Sequence, residues 1–225
     1  MENNLFRSSQ LTPSVGTLVA TTEKQNVKTM EINQLKDFIK NKSKTISENF
    51  DNISKNGFLK SISFEIDVNK LDSKYLDKVN ITQDGDFSEY FQKMIEYENF
   101  PALYFFEIND TVEKEEIVTL IKKVNEEFQL NIPAQNHTHK NEGVLYVGKV
   151  KSCAWGRLIQ HLGYHKNRKS HGLQLDFWAK EIKTELKLKY TVMFFEENIA
   201  DDINVLELIL AKKLNPIIGK HKITQ

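Results

Sequence analysis

Between Gly143 and His171 the chain gathers Lys149, Lys151, Lys166 and Lys169, Arg157 and Arg168, and His161, His165 and His171. No Asp or Glu occurs between Gly143 and Leu175, although 28% of all residues are charged. A run of cations without counter-charges is a surface prepared for phosphate. Arg157 and His161 stand four residues apart, which places them on one side of a helix. Downstream, Glu207 sits on the shoulder of the apolar stripe Ile203, Leu206, Leu210 and Leu214. A carboxylate there costs free energy unless it is paired or holds a cation. A lysine partner and a metal ion are both open at this point.

These residues need elements to position them. Val144 to Lys149 is a strand-like run, followed by a helix from about Ala154 to Tyr164 whose apolar stripe is Trp155, Leu158, Ile159 and Leu162. Arg157, His161 and Tyr164 share the adjacent face, and Gly163 marks the helix end. A basic loop from His165 to Ser170 leads to a second expected helix near His171 to Ile182. A strand over Leu186 to Glu196 and a last helix over Asp201 to Leu214, closed by Asn215-Pro216, complete this half.

Upstream, Phe100 to Ile108 has the composition of a buried strand. Asp110 with Glu113 resembles a capping box for a helix running to about Phe128. Before that, helices are expected over Met30 to Phe50 and Asp84 to Asn99. Phe58 to Val68 alternates as a strand with Ile62, Phe64, Ile66 and Val68 on one face. Residues 1–28 are polar and weakly periodic, a lead-in of low structural content. The expected division is an α+β accessory region over 1–98 and a second domain over 99–225.

The net charge is zero, so a nucleic-acid role must rest on the local patch. The single cysteine, Cys153, excludes an intrachain disulfide and fits a reducing compartment. No apolar run approaches the ~18 residues of a membrane span, and the N-terminus lacks the pattern of a secretory signal. The expectation is a cytoplasmic protein without a membrane partner. His137 and His139 are too few for a zinc site.

Taken together, Ala102-Leu103-Tyr104, Tyr146-Val147-Gly148-Lys149, Arg157, His161, His171 and Glu207 resemble the GIY-YIG nuclease superfamily over roughly residues 100–220. The resemblance implies a small, mainly antiparallel central sheet flanked by helices. It makes Tyr104 the tyrosine of the first tripeptide, and Tyr146 and Gly148 part of the second. It makes Arg157 and His161 catalytic partners of Tyr104 and Tyr146, and Glu207 the ligand of Mg²⁺ or Mn²⁺. The implied activity is metal-dependent endonuclease cleavage, with DNA the preferred substrate by the habit of the family. Lys149, Lys166, Arg168, Lys169 and His171 would then bind the nucleic acid, the loop cations through its backbone.

The residue types suit that chemistry. Arg157 offers a planar fork for the scissile phosphate. A metal on Glu207 would act as Lewis acid at the leaving oxygen. A tyrosine base requires its pKa lowered from about 10, and Lys149, Arg157 and the metal are expected to lower it. Outside the resemblance, Tyr104 and Tyr146 are tyrosines on apolar strands. Ala102 in place of glycine, and the helix inserted between the tripeptides, leave room for an alternative: a nucleic-acid-binding module of the same fold without catalytic competence.

Overall fold

The computed structural model describes residues 31–77, 79–109, 112–136, 143–165, 170–183 and 186–219. The chain divides into two units, Met1–Asn41 and Lys42–Gln225. A long helix, α1 (Ile32–Asn56), runs across that division. After it come β1 (Lys60–Asp67), the short α2 (Lys74–Asp77), α3 (Ser88–Ile95), β2 (Ala102–Ile108) and α4 (Lys114–Phe128). The remaining elements are β3 (Val144–Val150), α5 (Ala154–Leu162), β4 (Lys187–Phe194) and α6 (Ile203–Leu214).

The four strands form one antiparallel sheet in the order β1-β4-β2-β3. The architecture is α+β, a four-stranded sheet flanked by helices. Period-two alternation explains β1: Ile62, Phe64 and Ile66 are buried while their neighbours point outward. This strand, from the stretch expected to be an accessory region, is the outer strand of the same sheet and pairs along β4 from Lys60↔Phe194 to Asp67↔Lys187.

The two faces of the sheet carry different helices. Tyr104 and Phe106 of β2 share one core with Leu158 and Leu162 of α5. Leu103 of β2 packs with Ile203 of α6, and Val147 of β3 with Ala211 of α6, on the other side. A bulge opposite Phe106 and Glu107 makes Leu145 the extra residue of β3 and turns it onto the α5 side with Tyr146.

β3 is the other edge strand, and the chain covers part of its free side. After α6, Asn215 takes φ 48° as a left-handed cap. The tail then returns, Ile217 N donating to Val144 O and Ile218 N to Leu145 O, both at 2.9 Å. A paired edge is protected against joining foreign strands.

One expected element is different. Residues 171–182 form two 3₁₀ turns, Leu175–Phe177 and Ala179–Glu181, not an α-helix. Leu173, Leu175, Trp178, Ala179 and Ile182 are all buried, and Gln174 takes φ 51°, which interrupts helical hydrogen bonding. In α1 the anchored part is the C-terminal half. Asn49 Nδ2 donates to Asn198 O at 3.0 Å, and Phe50 and Ile53 pack beside Ile199. Ile32, Leu35, Phe38 and Ile39, the front of its expected apolar stripe, are exposed. Asp110 of the expected capping box lies outside the described residues; Glu113 caps α4 without a side-chain hydrogen bond. Among the described residues no helix is long and apolar enough to cross a membrane.

Candidate active site

The pairing of β2 with β3 sets Tyr104 directly across from Gly148. A Cβ at position 148 would stand 2.5 Å from Tyr104 Oη and 2.7 Å from Tyr146 Cε1. Only glycine lets both tyrosine rings close over that point of the strand. Tyr104 thereby extends across β3 toward α5.

α5 starts at Cys153, a left-handed residue (φ 59°) whose backbone N–H donates to Glu98 O at 2.6 Å. One turn on, a Cβ at Gly156 would meet Cys153 Sγ at 2.8 Å. The helix then directs both of its chemically capable side chains inward. His161 is fully buried, its ring 5.1–5.2 Å from those of Tyr104, Phe106 and Tyr146. Tyr104 Oη is 3.0 Å from His161 Nε2 and receives a hydrogen bond from Arg157 Nε, also at 3.0 Å. Arg157 Nη1 donates to Gln160 Oε1, which fixes the guanidinium plane. His161 Nδ1 is 3.1 Å from the backbone N of Leu173.

Glu207 approaches from the α6 side of the sheet. Its Oε2 lies 3.9 Å from Lys149 Nζ, and its side chain is 17% exposed. Lys149 also donates to Asn204 Oδ1, one helical turn before Glu207. Burial pushes the Glu207 carboxyl above its ordinary range, while Lys149 and Arg157 pull it down. Glu207 in turn raises Tyr104 and Tyr146 electrostatically. Tyr104, Tyr146, Arg157, His161, Lys149 and Glu207 thus act on one another at the edge strand.

Arg157 and Lys149 alone do not lower the tyrosines below the ordinary phenol value. Burial pushes Tyr104 far above the usual phenol value, the neighbouring Tyr146 adds to the rise, and Arg157 only partly opposes it. Burial likewise raises Tyr146, against the pull of Arg157. Desolvation of a phenolate exceeds what one cation returns, and Lys149 is turned toward α6. Burial, followed by Arg157, holds His161 well below its usual value, so its ring is neutral.

The other expected site residues fall differently. His171 is exposed and its Nε2 lies 3.1 Å from Asn131 Nδ2. Lys166, Arg168 and Lys169, with His137 and His139, lie outside the described residues. Asn215, a residue with the chemistry of a ligand, is the cap of α6; its Oδ1 accepts from Asn136 Nδ2 at 3.2 Å.

Several residues of the site carried no sequence signal. Asn204 and Gln160 are ordinary helix residues until the fold turns them toward Lys149 and Arg157. Leu173 contributes through its backbone, which no side-chain pattern reveals. Tyr190 brings a buried hydroxyl without a hydrogen-bond partner among the described residues, its ring 5.9 Å from that of Tyr104.

Among the described residues no group of three or more His, Cys, Asp and Glu side chains is arranged for a metal. Glu207 supplies one carboxylate, with the Asn204 amide a turn away. Mg²⁺ is commonly held by one or two carboxylates beside the oxygens of a phosphate; Glu207 is one such carboxylate, facing Lys149 here. Comparisons of the chain with protein-family models, with curated proteins and with solved structures return no match, so its functional reading stands on the residues and geometry of the site itself.

Proposed function

We propose that the chain is a metal-dependent endonuclease of the GIY-YIG type that hydrolyses phosphodiester bonds, with DNA as substrate. The observation that carries this reading is the hydrogen-bonded group of Tyr104, Arg157 and His161, with Glu207 in electrostatic reach of Arg157. The four-stranded antiparallel sheet with flanking helices supports it.

In this reading Arg157 neutralises the scissile phosphate with a guanidinium whose plane Tyr104 and Gln160 already fix. Tyr146 is the outer phenol, 8% exposed against 1% for Tyr104. It orients the attacking water, and Tyr104 holds Tyr146 and Arg157 in place. Glu207, with Asn204 beside it, would hold Mg²⁺ or Mn²⁺, which supplies Lewis-acid stabilisation of the leaving 3′ oxygen. Lys149 releases Glu207 and moves to the nucleic-acid backbone. Lys166, Arg168 and Lys169 contribute affinity without sequence choice.

The test is cleavage of supercoiled plasmid with Mg²⁺. Arg157→Ala and Glu207→Ala should each lower the rate by on the order of 10²–10³. An inactive wild type on DNA and RNA at several salt concentrations would sink the enzyme reading. The Lys149–Glu207 pair favours one alternative, a binding module of this fold in which lysine permanently replaces the metal. That module binds DNA in a salt-sensitive way and shows no metal-dependent cleavage.

A further inference from the structure

We infer that His161 is a positioning residue locked in a single tautomer by the backbone amide of Leu173, so that it donates a hydrogen bond to Tyr104 and never receives the Tyr104 proton. The inference deepens the proposed site and rests on that reading for its functional consequence, but its structural core stands alone.

A backbone amide can only donate. Leu173 N lies 3.1 Å from His161 Nδ1, so Nδ1 presents its lone pair there and carries no hydrogen. A neutral imidazole then bears its proton on Nε2, 3.0 Å from Tyr104 Oη. An imidazolium would set N–H against N–H at Leu173, inside a buried site that already holds Arg157. The Tyr104 oxygen therefore accepts from two nitrogens, His161 Nε2 and Arg157 Nε. With both acceptor positions filled, its own proton must point away from them. The polarity at Tyr104 is fixed: His161 and Arg157 both donate to its oxygen.

The clamp is built into the segment that follows Ser170. A Cβ at Gly172 would stand 2.5 Å from Gln160 O and 3.2 Å from His161 N, so only glycine brings this segment onto the α5 backbone. Leu173 is held at its carbonyl as well: the buried Trp178 Nε1 donates to Leu173 O at 2.8 Å. The Leu173 side chain is fully buried. A loop that merely connected elements would need neither the close approach nor the indole.

The experiment is ¹⁵N NMR of the histidine rings in the full-length protein, with His161 assigned by comparison with His161→Gln. The expected result is one buried ring with Nε2 protonated and Nδ1 bare, unchanged from pH 5 to 8. An Nδ1-protonated ring or an imidazolium in that range overturns the inference. Cleavage adds a second readout. Glutamine places an amide N–H near the Nε2 position, so His161→Gln should keep activity within about tenfold, while His161→Ala and His161→Asn lose on the order of 10²-fold. Equal loss in all three overturns the donor role. An inactive wild type that shows the Nε2–H tautomer overturns the proposed function and supports this inference; an active one that shows Nδ1–H does the reverse.

Discussion

The two sides of β3 hold their polar groups in opposite ways. On the α5 side, Tyr104, Arg157 and His161 are joined by 3.0 Å contacts, and the His161 and Tyr104 side chains are buried. On the α6 side, Glu207 and Lys149 stand 3.9 Å apart and both are partly exposed. The first arrangement is preorganised: its dipoles are fixed before any ligand arrives, at the cost of burying polar groups. The second is exchangeable, because a loose pair in partial contact with water is worth little and is given up easily. In the proposed nuclease one half would hold a geometry and the other admit a cation and a phosphate.

That contrast predicts that substitutions on the α5 side cost stability as well as activity, and those on the α6 side activity with little stability. The largest stability effect is expected for Gly148→Ala. Its methyl must displace the Tyr104 and Tyr146 rings, an overpacking of about 3 kcal/mol in urea denaturation, with cleavage lost as well. A stability change near zero would mean that the rings are not fixed over β3. Tyr104→Phe comes next. It leaves Arg157 Nε and His161 Nε2 without their shared acceptor, a cost of about 2 kcal/mol measurable in the same way.

Glu207→Gln should have the smallest effect on folding and reverses the sign. Burial raises the Glu207 pKa in the folded state, so the folded protein binds its proton more tightly than the unfolded chain does. Stability from this group is present below the ordinary carboxylate pKa and is lost as pH rises through the folded value. The glutamine variant, always neutral, should match wild type near pH 4 and exceed it at pH 7 by less than about 1 kcal/mol, while metal-dependent cleavage falls. Denaturation curves at the two pH values check the sign. A destabilised variant at pH 7 would place Glu207 with the preorganised half.

Some of this is legible in the sequence and some is not, for definite reasons. β1 and the helices α5 and α6 follow from periodicity, because each buries one regular stripe. Residues 171–182 carry apolar residues at helical spacing and still do not form a helix, because Gly172 must lie against Gln160 and Gln174 turns left-handed. Tertiary contact overrides the local pattern there. Among site residues, Arg157, His161 and Glu207 stand out by type and place. The direction of the tyrosine pKa does not: it depends on the depth of burial, and the charges near in sequence point the wrong way. The role of Leu173 is invisible, since its working group is an amide that nearly every residue possesses.

The tail that covers β3 has a mechanical consequence. It begins at the cap of α6 and is hydrogen-bonded to Val144 and Leu145, next to Tyr146. The helix bearing the carboxylate and the strand bearing the outer phenol are thus closed into a short hoop of chain. A ratchet of α6 along β3 by one turn, about 5.4 Å, would have to tear those two bonds. In the proposed site Glu207 would then exchange Lys149 for another cation by rotating its own side chain, with the span between the two halves of the site held constant.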